Sequence, residues 1–211
     1  MRLNLRIAAS VLGALLLAAP AAALAGAQKY EPLAASVRAT LNKAIADQAV
    51  PHLAFDTEAE ARAWLSAMSR RLARRMPDRL AREEFLITVH YEAKRAGLDP
   101  QLVLGLIQVE SNFRKYAVSR AGARGYMQVM PFWVKLIGGA DHNLFHIRTN
   151  LRFGCVILRH YLGMEGGDLY RALGRYNGSL GKPEYPNLVV RAWRRDWHYA
   201  ERNSDTRIAG R

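Results

Sequence analysis

A chain of 211 residues, half of them hydrophobic, can bury one respectable core without disulfide or metal staples. Its single cysteine, Cys155, excludes an internal bridge, so packing alone must hold the fold. A formal net charge of +13 points to a polyanionic partner, or more blandly to a solvated basic face.

The N-terminus reads as a targeting segment over residues 1–25. Arg2 and Arg6 precede an apolar run from Ile7 to Ala19, and Ala23-Leu24-Ala25 offers a small-residue cleavage site. A retained membrane anchor is the competing reading, but Pro20 and the small residues that follow favour cleavage, leaving no integral membrane span. Lipid attachment is disfavoured because Cys155 lies far downstream of the cleavage site. Export shifts the expected polyanion from nucleic acid to anionic envelope polymers or a membrane surface. The expected location is the periplasm, possible association with the cell wall included.

Residues 26–77 read as an accessory helical region. Leu33, Val37, Leu41 and Ile45 recur every four residues until Pro51 interrupts them. A second helix opens at Thr57, with Glu60 placed for a capping box, and runs to about Met76. Its Arg70, Arg71, Arg74 and Arg75 make a basic stripe, a solvated face first and a partner contact second. Pro77-Asp78 restarts the chain into a helix ending near Gly97. Asp99-Pro100 then opens a helix from Leu102 to Ser111 that is apolar almost all round, hence buried.

Later helices are expected over Met130 to Ile137, Thr149 to Glu165, Asp168 to Tyr176, and Leu188 to about Arg202, with a disordered tail at 203–211. No strand-like alternation of useful length appears, so the fold class is all-α. Cys155 falls in an apolar helical stretch as a small core residue. His142 and His146 have i, i+4 spacing without a companion ligand, so neither a metal nor another cofactor is expected. Nucleophilic serine or cysteine chemistry lacks a recognisable partner set.

Glu110 closes the most apolar helix, with Leu106 and Ile107 one turn back and Val103 two turns back. Desolvation there would raise a carboxyl pKa toward what a general acid needs near neutral pH. The ordinary alternative is a helix-end pair with Arg114 at i+4.

The surrounding sequence tips that balance. Glu110-Ser111-Asn112-Phe113, the run Ala117 to Pro131 containing Gly125-Tyr126-Met127-Gln128, and Arg175-Tyr176-Asn177-Gly178 together resemble the soluble lytic transglycosylases and their goose-type lysozyme relatives. The resemblance spans roughly Phe85 to Trp193, within a catalytic domain set at 78–202. The family usually carries leucine at Tyr126, alanine at Arg175 and alanine-glycine at Gly178-Ser179, changes that fall on the groove wall and rim.

The resemblance implies a lysozyme-like helical domain with a sugar-binding cleft, acting on peptidoglycan strands. Glu110 would serve as the single general acid/base, cleaving the β-1,4 bond between N-acetylmuramic acid and N-acetylglucosamine and leaving 1,6-anhydromuramyl ends. Ser119, Met127, Gln128, Tyr176 and Asn177 would line the cleft, Tyr176 holding Glu110 or orienting the N-acetyl group. Rival readings are a hydrolase of the same bond, with Asp141 the acid to watch, and a non-catalytic glycan-binding or scaffold module. An envelope-spanning secretion or conjugation complex is a further conceivable partner.

Overall fold

The computed structural model describes residues 28–139 and 142–200. The expected targeting segment at 1–25, Asp141 and the tail at 203–211 lie outside them. Eight helices follow in order: α1 (Ala35–Ile45), α2 (Glu58–Leu72), α3 (Arg79–Arg95), α4 (Pro100–Ser111), α5 (Phe132–Ile137), α6 (Ile147–Met164), α7 (Leu169–Asn177) and α8 (Glu184–Ala192). A π-helical turn, Trp193–Trp197, continues α8. Among the described residues there is no strand, only isolated bridges joining Val118 to Arg124 and Arg124 to Val129. The described protein is all-α.

Short-range chemistry sets the helix starts. Thr57 accepts from the Glu60 amide at 3.2 Å while Glu60 accepts from the Thr57 amide at 3.1 Å, a complete capping box. Asp78, Asp99 and Asp168 cap α3, α4 and α7 through their carboxylates. Two ends depart from the sequence expectation. α2 stops at Leu72, and a turn at 73–75 leads into Met76-Pro77. α8 begins at Glu184 rather than Leu188, because Pro186 sits in the first turn, where a missing N–H breaks no helical bond.

The buried helix α4 is the axis of the core, with Leu104, Leu106 and Ile107 wholly enclosed. α8 and the π turn pack along it. Three side-chain bonds fasten this contact: Trp193 Nε1 to Asp99 at 3.0 Å, Trp197 Nε1 to Gln108 at 2.8 Å, and Gln108 Nε2 to Asp196 at 2.7 Å. α3 packs on α2, α4 and α6, and α7 packs on α6 and α8. Cys155 is wholly buried in α6, and that burial pushes its thiol pKa up, so it is a core residue rather than a reactive one.

The N-terminal segment joins the same body. α1 packs against α5 and α6, and its last carbonyls receive arginines from other helices. Arg95 donates to Ala44 O at 2.6 Å and Arg152 to Ile45 O at 2.9 Å. Both arginines also hold the buried Glu92 at 3.0 Å, with Arg148 beside them at 3.3 Å. Of the basic stripe, Arg71 donates to His198 O and Arg75 to Asn112 Oδ1, so part of it serves intramolecular contacts.

Candidate active site

α4 ends in two left-handed residues, Asn112 at φ 49° and Phe113 at φ 63°, which turn the chain sharply after Glu110-Ser111. The chain then forms the loop carrying Ser119 and Gly125 to Met130. Ser111, buried at the helix end, donates its hydroxyl to Tyr126 O at 2.7 Å and so ties loop to helix.

Gly125 is required where it stands. Its φ is +75°, and a Cβ there would lie 2.7 Å from Leu144 O and closer still to the Asn150 amide. Asn150, from α6, clamps the loop with three bonds: it accepts from the Met127 amide at 2.8 Å and donates to Arg124 O at 2.8 Å and Leu144 O at 2.9 Å. Gly154, one turn further along α6, leaves room for Met127, whose Cβ would sit 2.7 Å from any added Cβ. Neither Asn150 nor Ser111 was given a role from the sequence. Their partners lie on other segments, and only the place of Ser111 in a matching block hinted at importance.

Glu110 is 4% exposed. Burial raises its carboxyl pKa, a hydrogen bond from Tyr185 lowers it, and burial wins, at about 8. Tyr185, itself buried on α8, donates its hydroxyl to Glu110 Oε1 at 2.5 Å. Among the described residues no cation pairs with Glu110. Arg114 instead donates to Ser111 O at 3.0 Å, so the ordinary helix-surface pair is not formed.

The expectation that Tyr176 holds Glu110 is corrected. Its hydroxyl donates to Met127 O at 2.7 Å, and Tyr185, from the next helix, takes the carboxyl. Sequence reasoning missed Tyr185 because Pro183 and Pro186 left it in an apparent loop.

The remaining candidates fall on the loop after α4 and at the end of α7. Met127 is wholly buried. Gln128 has φ 48°, and its carboxamide nitrogen donates to Ala117 O at 3.1 Å and Gly125 O at 2.9 Å, so this side chain shapes its own loop. Ser119 is half-buried and accepts from the Ala123 amide at 3.1 Å. Asn177 is buried at the end of α7, beside Gly178, which takes the left-handed C-cap conformation. His142 and His146 stand apart from these residues. Among the described residues no three His, Cys, Asp or Glu side chains group as metal ligands.

Chemically, the site offers one neutral buried carboxyl oriented by one phenol, beside a rigid loop of backbone amides and carbonyls. That suits a proton donor better than a charged ligand.

Comparison with known proteins finds similar sequences over this region. The family model described as "Transglycosylase SLT domain" matches residues 88–186. The match runs from α3 to α8 and encloses both Glu110 and Tyr185. Over 48 residues the chain is 52% identical to a membrane-bound lytic murein transglycosylase C of Actinobacillus pleuropneumoniae, covering 23% of this chain and 13% of that protein. Over 111 residues it is 33% identical to the transglycosylase of Enterobacteria phage PRD1, covering 49% of this chain and 41% of that one. A solved structure of an inactive mutant of lytic transglycosylase Slt from Pseudomonas aeruginosa aligns at TM-score 0.40 and 18% identity, covering 83% of this chain and 33% of that one. The chain thus spans less than half the length of each of these proteins. The stretch that matches the transglycosylase SLT domain family, residues 88–186, is just under half of the chain.

Proposed function

We propose that this protein is a peptidoglycan lytic transglycosylase with Glu110 as its single general acid/base. The observation that carries the reading is a fully enclosed carboxyl held by a phenol and, among the described residues, by no cation. With a pKa of about 8, Glu110 is protonated at neutral pH and can give its proton to the bridging oxygen of the muramyl bond. The bond from muramic C1 to that oxygen breaks, and the proton stays on the departing N-acetylglucosamine. The resulting carboxylate accepts the proton of the muramic C6 hydroxyl as its oxygen closes on C1. The product is a 1,6-anhydro ring, Glu110 regains its proton, and no water is consumed.

Tyr185 occupies Oε1 and so directs the mobile proton to Oε2. Substrate assistance by the N-acetyl group, a known alternative to a second carboxylate, would stabilise the oxocarbenium-like centre. Ser119, Met127, Gln128, Tyr176 and Asn177 would form the wall of the sugar groove, largely through the backbone of the loop that Asn150 holds. Such an activity belongs in the periplasm, against the wall, where an exported chain of this charge would also meet any envelope-spanning assembly that needs a gap opened.

The test is mass spectrometry of muropeptides released from purified sacculi, wild type beside Glu110→Gln. Anhydromuramyl products from wild type alone are expected. Reducing ends would mean hydrolysis, and no release would reduce the protein to a glycan-binding module.

A further inference from the structure

The loop and helix end beside Glu110 already hold an amide, and it comes from the chain itself. Gln28 precedes α1, yet its side chain is buried, at 3% exposure. Its carboxamide oxygen accepts from the Met130 amide at 3.3 Å, and its nitrogen reaches Gln128 O at 3.5 Å. It also hydrogen-bonds Tyr176. One carboxamide therefore spans a donor and an acceptor of the loop that carries Met127 and Gln128.

The tether behind this buried amide is weak. Tyr30 meets the edge of Phe132 at 5.7 Å between centroids but is 61% exposed. Glu31 pairs with Arg175 at 3.2 Å in a solvent-accessible setting, where ion pairs contribute little. Lys29 and Glu31 line a cavity of about 310 Å³ together with Arg175, Gly178 and Ser179, next to Asn177. A deep polar anchor on a loosely held strap is suited to exchange rather than to permanent structure.

We propose that residues 28–31 are a built-in occupant of the glycan groove: the Gln28 carboxamide fills a place suited to the acetamido group of an amino sugar, and a strand must displace it to approach Glu110. This rests on the peptidoglycan reading above. A 2-acetamido group presents the same carbonyl acceptor and N–H donor as a glutamine side chain, and would meet the same Met130 amide and Gln128 carbonyl. An internal occupant lowers apparent affinity by the fraction of molecules in which the groove is open, so releasing it tightens binding without any new contact.

The experiment measures binding of tetra-N-acetylchitotetraose by calorimetry to the full chain carrying Glu110→Gln, which keeps the sugar intact. The parent is compared with versions that add Gln28→Ala or Glu31→Ala, and amide hydrogen exchange is followed at residues 28–31 and at Met130. Binding is expected to tighten roughly three- to tenfold in both versions. In the parent, the sugar is expected to speed exchange at 28–31. Weaker binding in the variants, or slower exchange at 28–31 with sugar, would make the strap a wall of the groove and overturn the proposal. Unchanged affinity in both variants would overturn it equally, leaving the glycan reading intact. No binding to any version would instead remove the glycan groove itself, and the strap's role with it.

Discussion

Glu92 and Glu110 lie in consecutive helices and are withdrawn from water to nearly the same degree, 0% and 4% exposed, yet they are opposites. Glu92 is met by Arg95, Arg148 and Arg152, and its oxygens accept from all three. Its charge is compensated where it stands, and two of these guanidiniums, those of Arg95 and Arg152, reach the carbonyls ending α1. Among the described residues, Glu110 has only Tyr185. The difference teaches that burial alone does not make a carboxyl reactive. Burial beside cations builds an anchor, whereas burial beside a single neutral donor stores a proton.

The strongest way to break the comparison is Glu110→Gln. Removal of the proton carrier is expected to cost about 10³-fold or more in release of anhydromuramyl products, with the helical circular dichroism unchanged. The same variant has a stability signature. The folded-state pKa of Glu110 is about 8, above its ordinary 4.5. Its protonated form therefore supports the fold fully below pH 4.5, and that support is lost as pH rises through about 8. Thermal melts should show wild type losing stability across that window and Glu110→Gln losing less. Parallel pH dependences of the two would argue that Glu110 is already charged in the fold.

Glu92→Gln should do the reverse. Three arginines lose the buried one of their two shared counter-charges, Asp47 staying 3.1–3.9 Å from them, a change expected to cost about 3 kcal/mol in urea unfolding. The reaction of the remaining folded enzyme should proceed at an unchanged kcat. A variant that kept its stability but lost turnover would erase the distinction between anchor and proton carrier.

What the sequence disclosed follows the range of the interactions involved. Thr57 with Glu60, Asp78, Asp99 before Pro100, and Asp168 are contacts over three residues or fewer, and they mark helix starts that the structure contains. Glu110 stood out because its apolar neighbours are on its own helix. Tyr185 was hidden by prolines that read as breaks, although Pro186 fits the first turn of α8. The pairing of Gln28 with Met130, the Asn150 clamp and the reach of Arg148 and Arg152 to Glu92 join residues far apart in the chain, and no local pattern announces them. The π turn at Trp193–Trp197 was read as plain helix, since its cause is the packing of Trp193 and Trp197 on α4.

Asn150→Ala probes the support of the site one step away from the proton. It strands the Met127 amide and the carbonyls of Arg124 and Leu144 in the interior. A loss of about 1–3 kcal/mol is expected in urea unfolding, accompanied by faster hydrogen exchange at Met127. The pH dependence of catalysis should stay in place, because no group that sets the Glu110 pKa has been altered.

The smallest and most discriminating change is Tyr185→Phe. It deletes one oxygen and leaves the ring, so the burial that raises the Glu110 pKa is retained while the bond that lowers it is gone. The carboxyl pKa must then move further up, and with it the pH at which the proton donor is lost. The alkaline limb of the kcat profile should shift to higher pH, while kcat at neutral pH falls roughly three- to tenfold, the worth of one hydrogen bond of about 1 kcal/mol. A ring that merely fills space would leave that limb where it was. A shift in the limb is therefore the signature that Glu110 works as a proton donor tuned by one phenol, in contrast to the arginine-bound carboxylate of the preceding helix.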